Sequence, residues 1–322
     1  MKVALEYNEL IRPLLIMNIK NMLKVVLAVY ITSLVLTSTP SFALGKLGHQ
    51  LTCQLAFEQL SLKSQQEVMR LLNTMPTAAL THLNKFNHHE NKSPITFAKA
   101  CTWADAIKKE AGFEQFKSWH YLNVKRNVSV IDKESCPSDC ITQAVIYHQK
   151  QLKTAKSDQQ RRQALMFLGH WLGDIHQPLH VSFSSDLGGN KTKIVSNDGN
   201  CTNLHWLWDQ CLLTRQIETK DYQERYEYLY RKLTKSLTLN IQNESVTRWQ
   251  NNIVYTWATE SLEIARQPKF GYCSISKEQV CEVNNPQPYT LMAGYQTHYS
   301  PVINQQIIKA SVRLANHLEQ SL

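Results

Sequence analysis

Apolar residues recur at three- and four-residue spacing along most of the chain, which is typical of amphipathic helices. This spacing predicts helices over residues 51–72, 97–111, 141–153, 159–176, 221–237, 245–265 and 301–318. Residues 80–94 are polar and rich in His and Asn, and predict a loop; residues 118–123 predict an extended segment. Residues 181–195 predict a small β-hairpin, and a further helix begins near Asn203.

Glycine is scarce, with 10 in 322 residues, and no shift in composition marks a linker. We therefore expect a mainly α fold: one compact helical domain with a small β-hairpin. The chain has no phosphate-binding glycine loop and no GxSxG nucleophile motif.

The stretch 167–180, FLGHWLGDIHQPLH, concentrates potential metal ligands. His170 and Asp174 are four residues apart, so they lie on one face of the predicted helix, one turn apart. Pro178 cannot continue a helix, so His180 can approach from another direction. His170 and Asp174 lie off the aliphatic stripe that would bury the helix, formed by Leu165, Leu168, Leu172 and Ile175.

Other histidines in the chain do not share this pattern. His176 points away from His170 and Asp174, and is interpreted as a core residue or as support for the ligands. His88 and His89 lie in a polar segment, where solvated side chains are expected. For His170 and Asp174 themselves, the alternative is an ordinary capping or solvated role.

The remaining candidate donors are imidazoles and carboxylates, without thiolates, a set that suits zinc ions with an open position for water. His205 and Asp209 again have i, i+4 spacing. The full set exceeds what one zinc can use, so its size predicts a cluster, although composition does not show that the residues converge. The donors are His49, Asp105, His120, His170, Asp174, His180, His205, Asp209 and the amino terminus of the processed chain.

The first 43 residues have the features of a signal peptide. Lys20 and Lys24 precede the apolar run 25–36, and Ser41-Phe42-Ala43 supplies the small residues of a cleavage site. Residues 1–16 can be an upstream extension. The apolar run is short for a membrane span, so we expect cleavage after Ala43 and no stable membrane association afterwards.

All eight cysteines follow Ala43 and none forms a paired CxxC zinc pattern, so we expect disulfides and a secreted or periplasmic protein. Cys136 with Cys140, and Cys273 with Cys281, are close enough to close local loops. Without residues 1–43 the chain has 31 Lys and Arg against 24 Asp and Glu, a net charge of +7. This balance favours an anionic partner but does not identify nucleic acid.

Several motifs together resemble one family, the zinc-dependent single-strand nucleases of fungi, plants and bacteria (the S-one/P-one type), which are related to bacterial phospholipase C. The resemblance covers residues 44–322. It rests on LGKLGH, TWAD, SWHYLN, FLGHWLGDIHQPLHVSFSSDLGGN, NLHWLWD and SVRLANHL, in this order.

The resemblance implies a mainly helical nuclease domain, residues 44–322, around a cleft with three zinc ions. It assigns the ligands position by position. One zinc would be held by Asp105, His120, His170 and Asp174. A second would be held by the amino and carbonyl groups of Leu44 and by His49, with Asp174 bridging the two. The third would be held by His180, His205 and Asp209. The resemblance also implies a Cys53–Cys101 disulfide.

The same resemblance implies substrate residues. Lys108 stands where the family has an arginine that holds phosphate, and Tyr121 where an aromatic ring stacks on a base. Asn190 matches a substrate-contacting position. Asn123 replaces a base-contacting aspartate, so base preference does not carry over. Core packing for Tyr121 and an ordinary turn role for Asn190 are the alternatives.

The implied enzyme is a secreted zinc-dependent endonuclease that hydrolyses single-stranded RNA and DNA to 5′-mononucleotides and also acts as a 3′-nucleotidase. Its implied catalytic residues are Asp105, Lys108 and Asp174, and we expect it to act as a monomer on nucleic acids and nucleotides. One alternative is a phospholipase C-like phosphodiesterase, although phospholipases carry glutamate at the position of Asp209. Another is a non-catalytic nucleic-acid-binding protein, which would need no complete zinc ligand set.

Overall fold

The computed structural model describes residues 44–196, 199–242, 245–250, 253–283, 288 and 290–322. The predicted signal peptide, residues 1–43, lies outside them. The α-helices within the described ranges are α1 Gly45–Glu58, α2 Leu62–Leu72, α3 Thr77–Phe86, α4 Phe97–Ala100, α5 Trp103–Ile107, α6 Ile141–Thr154, α7 Asp158–Ile175, α8 Leu204–Trp206, α9 Leu212–Thr214, α10 Tyr222–Gln242, α11 Ser245–Gln250, α12 Val254–Ala265 and α13 Tyr295–Glu319. The strands are β1 Leu122–Val124, β2 Val181–Phe183, β3 Cys273–Ile275 and β4 Cys281–Val283.

Helix α7 lies at the centre of the fold. It packs against α6 on one side and contacts α1 and α13 on others. Its C-terminal two-thirds, residues 164–175, are buried without interruption. A polar residue in such a helix loses its contact with water, so His170 and Asp174 need partners inside the protein.

The prediction of a mainly α domain is confirmed, but three predicted helices are divided. The predicted helix 51–72 ends at Glu58 and restarts at Leu62, because the Ser61 hydroxyl caps a new helix by accepting from the Ser64 N–H at 3.3 Å. The predicted helix 97–111 is divided at Cys101 and Thr102, whose side chains are both fully buried, with Cys101 bonded to Cys53. The predicted helix 245–265 corresponds to α11 and α12.

The prediction of a loop over residues 80–94 is wrong for its first half, because α3 runs from Thr77 to Phe86. Leu83 and Asn84 are both fully buried, and the Asn84 side chain donates to the Asn91 and Ser93 carbonyl oxygens. A buried asparagine that is hydrogen-bonded in this way gives the same polar pattern as a loop. His88 and His89 are exposed, as predicted.

The prediction of a hairpin at residues 181–195 is also wrong. All three residues of β2 are buried, and β2 pairs in parallel with β1, with Asn123 opposite Ser182. The predicted second arm makes only a bridge between Lys193 and Asn203. A small antiparallel hairpin occurs instead between β3 and β4. The extended segment predicted at 118–123 begins only after a 3-10 helix, Glu114–His120.

All eight cysteines form disulfides in the structure. Three pairs agree with the sequence analysis: Cys53–Cys101, Cys136–Cys140 and Cys273–Cys281. The fourth pair, Cys201–Cys211, was left unassigned there. Among the described helices, none is both long and apolar enough to cross a bilayer.

Candidate metal centre

Asp174 is the centre of the buried polar cluster, and its side chain is fully inaccessible. Its Oδ2 atom lies 3.0 Å from His120 Nδ1 and 3.2 Å from His170 Nε2. Its Oδ1 atom lies 3.2 Å from His49 Nε2 and 3.6 Å from His180 Nδ1. One carboxylate therefore faces four imidazoles, two on each oxygen.

Two overlapping sets of donors surround this carboxylate. The ligand atoms of Asp105, His120 and His170 lie within 4.8 Å of one another, as do those of His49, His170 and Asp174. The His49 and His170 rings are stacked, with centroids 3.7 Å apart. The two sets share His170 in the structure, and Asp174 contacts ligands of both.

A third set stands beside them and combines His180, His205 and Asp209. Asp209 Oδ2 lies 3.3 Å from His205 Nε2, and Asp209 Oδ1 lies 3.4 Å from His180 Nε2. The helix that carries His205 and Asp209 contains a π-helical turn, Leu207–Cys211. Such turns occur often at functional sites.

The amino-terminal end of α1 reaches the same cluster. Leu44 is buried, and the position of a Cβ on Gly173 would lie 3.3 Å from Leu44 Cδ2 and 2.6 Å from His49 Nδ1. Any side chain at position 173 would therefore displace His49. Leu44 and His49 thus pack together against α7 at Gly173, the residue that precedes Asp174.

Backbone carbonyl groups hold three of the imidazoles by Nδ1. His170 Nδ1 is 2.7 Å from the Cys101 carbonyl oxygen, and His180 Nδ1 is 2.7 Å from that of His120. His205 Nδ1 is 2.6 Å from the Gly188 carbonyl oxygen. A carbonyl oxygen can only accept, so each Nδ1 carries a proton, and in the neutral form of each ring Nε2 has the lone pair that a ligand needs.

Several buried polar atoms in these sets have no hydrogen-bond partner among the described residues. They are His49 Nδ1 and Nε2, Asp174 Oδ1, His180 Nε2 and Asp209 Oδ2. Buried polar atoms left without partners carry a large desolvation cost. Bound cations would satisfy these lone pairs, so the residues present fit metal ions.

The ionisation of the cluster also suits a cation. Burial alone would raise the pKa of Asp174, but the surrounding imidazoles, His170 foremost, hold it well below its usual value. Burial lowers the pKa of His49, His120 and His205. For His180, burial is outweighed by Asp174 and Asp209, which raise its pKa to about 9. Asp174 and Asp105 outweigh burial at His170 as well and raise its pKa. Ionised carboxylates and neutral imidazoles are the forms that bind metals, so a bound cation would displace a proton from His170 and from His180.

Gln177 supports the third set, although no sequence pattern marks it as a functional residue. Gln177 Nε2 donates to Asp209 Oδ1 at 2.6 Å, and the Gln177 side chain also accepts from the Leu179 N–H. It thereby fixes both a ligand and the turn that redirects the chain toward His180. An uncharged residue inside a motif of stronger ligands gave no signal of this role.

His176 has a different environment, as predicted from its direction. Its Nδ1 contacts the Leu172 carbonyl oxygen at 2.7 Å, and Arg313 donates to its Nε2 from 2.7 Å. Arg313 in turn forms an ion pair with Glu260. His176 therefore links the centre of the fold to α13.

The predicted substrate residues lie around the carboxylates and the 188–190 turn. Lys108 donates to Asp105 Oδ1 at 3.1 Å, and the Tyr121 side chain is 41 % exposed although it follows the buried His120. Asn190 is half-buried and donates to the Leu187 carbonyl oxygen at 2.9 Å. Asn123 Oδ1 is buried without a partner among the described residues, and faces the Gly188 backbone.

Comparison with known proteins places this geometry in a family. Residues 44–322 match the family model described as S1/P1 Nuclease. Endonuclease 3 of Arabidopsis thaliana is 29 % identical over 305 residues, which cover 90 % of this chain and 93 % of that protein. Nuclease S1 of Aspergillus oryzae is 24 % identical over 288 residues, covering 87 % of this chain and 92 % of the relative.

Nuclease P1 of Penicillium citrinum is 29 % identical over 248 residues, which cover 71 % of this chain and 86 % of that protein. The family model spans far more than half of the chain, and the buried histidines and aspartates form three groups able to hold metal ions. The chain therefore belongs to the S1/P1 nuclease family and is a hydrolytic nuclease that takes nucleic acid as its substrate.

Proposed function

We propose that residues 44–322 form a zinc-dependent endonuclease that hydrolyses single-stranded RNA and DNA to 5′-mononucleotides. The observation that carries the proposal is the convergence of eight imidazole and carboxylate ligands into three adjacent sets. Two of these sets share His170, and Asp174 contacts imidazoles of both, so two ions held there would be close neighbours. Two neighbouring metal ions are suited to in-line displacement at phosphorus.

We assign the ligands as follows. Asp105, His120, His170 and Asp174 would hold one zinc, Leu44, His49 and Asp174 a second, and His180, His205 and Asp209 the third. Bound zinc would supply Lewis-acid chemistry and a hydroxide nucleophile near neutral pH. Asp174 would keep the first two ions together, since each of its oxygens faces a different pair of imidazoles.

The protein groups around the ligands supply positioning and charge. The Lys108 ammonium group, held 3.1 Å from Asp105 Oδ1, places a positive charge beside the ligands and would offset phosphate charge. Lysine has one compact charge, so it offers no bidentate fork to the phosphate. The exposed ring of Tyr121 would stack on an unpaired base, and Asn190 would contact substrate from the turn.

Stacking on Tyr121 requires a base that is free to leave its neighbours, which is the physical basis for preferring single strands. The same centre would accept a terminal 3′-phosphate monoester, so we include 3′-nucleotidase activity. The nine-residue ligand set also favours a catalyst over a protein that only binds nucleic acid, for which cations and aromatic rings suffice.

The amino group of Leu44 can act as a ligand only after cleavage of the Ala43–Leu44 bond, because an amide nitrogen has its lone pair delocalised into the carbonyl. We therefore propose that removal of residues 1–43 completes the second zinc site. Export to an extracellular or periplasmic compartment agrees with the four disulfides. We propose a monomer with no stable attachment to membranes.

The test combines metal content with substrate choice. Protein beginning at Leu44 should contain about three zinc ions and should cut single strands faster than the same sequence as a duplex. Equal rates on duplex and single strands would contradict the proposal. Faster turnover of phosphatidylcholine would favour the phospholipase alternative, and binding of nucleic acid without hydrolysis would favour the non-catalytic one.

A further inference from the structure

A second feature of the surface adjoins the metal centre. A cavity of about 700 Å³ lies between the start of α1, the end of α3, the π-helical turn and the start of α10. Gly45 and Asp209 both line it, and a Cβ on Gly45 would lie only 2.6 Å from the Asp209 carbonyl oxygen. The cavity therefore shares a wall with the third ligand set.

The charged groups that line the cavity are mainly positive. Lys46, Lys85 and Arg225 line it, together with two histidines. Among the described lining residues Asp209 is the only carboxylate, and its oxygens are turned toward Gln177 and His205. A polyanion would therefore meet an excess of positive charge in this cavity.

Two of these cations have donors available. Arg225 donates from Nη2 to the Thr219 carbonyl oxygen, but its buried Nε has no partner within the described residues. Because Nε is buried, Arg225 would offer a phosphate its charge and its Nη donors rather than Nε. Lys85 is exposed and lines the cavity, so its ammonium group is accessible to an anion there.

The remaining walls are largely apolar and include two aromatic rings. Phe86 lies at the end of α3, and the Tyr222 ring has Lys46 Nζ 4.5 Å from its centroid. The Tyr222 hydroxyl donates to Gln50 at 2.7 Å, which fixes the ring against α1. Aromatic faces combined with cations are the features that bind single-stranded nucleic acid without sequence preference.

We propose that this cavity is a subsite for a nucleotide that flanks the one being cleaved, with its phosphate on Lys85 and Arg225 and its base against an aromatic wall. The volume lies in the range of cavities that hold small ligands. This inference rests on the proposed nuclease function. It extends that function from the scissile phosphate to a neighbouring position on the same strand.

The experiment compares a thymidine dinucleotide with a thymidine octanucleotide on protein beginning at Leu44. The measured quantity is the ratio of kcat/KM for the long substrate to that for the short one. Lys85→Gln combined with Arg225→Gln should lower this ratio about tenfold, the effect expected for losing charge-assisted phosphate contacts. Lys85→Gln alone, an exposed change that spares the fold, should lower it about threefold and weaken its salt dependence.

The matched control is Lys153→Gln with Lys156→Gln, two exposed lysines that do not line the cavity. This variant has the same change in charge and should retain the wild-type ratio. An unchanged ratio in Lys85→Gln, or an equal fall in the control, would overturn the subsite. If the wild-type protein cuts neither oligonucleotide, the nuclease proposal itself fails, which is a distinguishable outcome.

Discussion

Replacing Asp174 by asparagine should damage the metal centre more than any other isosteric change. The substitution keeps the shape of the side chain but removes the charge that four imidazole nitrogens face at 3.0 to 3.6 Å. The site is fully buried, so water cannot replace the lost charge. Removing one partner from a buried charged set costs about 3–5 kcal/mol, which corresponds to a factor of about 10² to 10⁴ in affinity.

The loss should not be equal for the two ions. The set around Asp105 retains one carboxylate and two imidazoles after the change, namely Asp105, His120 and His170. The other set retains only His49 and the backbone groups of Leu44 as its own ligands. We therefore expect Asp174→Asn to lose the second zinc first, and kcat/KM on single-stranded DNA to fall by about 10³-fold or more.

The control for this prediction lies on the same helix. Asp158→Asn makes the same chemical change at the start of α7, where the carboxylate is exposed and paired with Arg70. Exposed ion pairs contribute little to stability and this one lies far from the ligands along the helix, so the variant should keep its zinc content and its activity. Elemental analysis measures the zinc content of both variants, and initial rates measure their hydrolysis of single-stranded DNA. Asp174→Asn with three zinc ions and more than a tenth of the wild-type rate would refute the bridging role.

Three further predictions follow from other parts of the structure. Adding Gly-Ser before Leu44 should lower zinc content and hydrolysis, whereas Leu44→Ala should have a much smaller effect on zinc content; matching zinc content and rates in the extended and unextended proteins would rule out the terminal ligand. Tyr121→Ala should lower kcat/KM on oligonucleotides by about 5- to 150-fold, since stacking is worth about 1–3 kcal/mol, with zinc content unchanged; loss of zinc would show a structural role instead. Burial lowers the pKa of His148 to about 4, so the neutral form is favoured on folding. The free energy of unfolding should therefore be highest above the unfolded pKa of about 6.5 and should fall as the pH drops toward the folded pKa. The expected loss is about 2 kcal/mol between about pH 7 and about pH 5. Denaturant titrations at several pH values measure the free energy of unfolding of the wild type and of His148→Gln. The same pH dependence in both proteins would contradict the prediction.

The ligand-bearing helix could be predicted from the sequence because its signal is local. The i, i+4 spacing of His170 and Asp174, and the proline before His180, depend only on helix geometry and on the missing N–H of proline. The same holds for His205 and Asp209. These spacings survive any tertiary arrangement, so the structure contains them as predicted.

Long-range contacts set the features that the sequence analysis missed. Strand β2 reads as a hairpin arm because glycines follow it, yet it pairs with β1, almost 60 residues earlier. Helix 97–111 is interrupted at Cys101, whose partner lies 48 residues away. The cationic cavity combines α1, α3 and α10, and no single segment carries its pattern.

The Cys53–Cys101 disulfide joins two of the ligand-bearing segments and packs against a third. Cys53 follows His49 by one helical turn in α1, and Cys101 precedes Asp105 by four residues. The bridge crosses α7 at Gly169, where a Cβ would lie 2.3 Å from Cys101 Sγ and 2.9 Å from Cys53 Sγ. The Cys101 carbonyl oxygen also orients His170.

This arrangement bears on the order of two steps in the maturation of the protein, disulfide formation and metal binding. In a reducing environment the segments of His49 and Asp105 would be joined only through the backbone between them, and a proposed zinc ion would have to bring them together at the cost of their conformational entropy. Once the thiols are oxidised, the disulfide limits the separation of the His49 and Asp105 segments before an ion binds. Under the proposed zinc assignment, we expect oxidation to precede efficient metal loading, and a chain that remains reduced to have little activity.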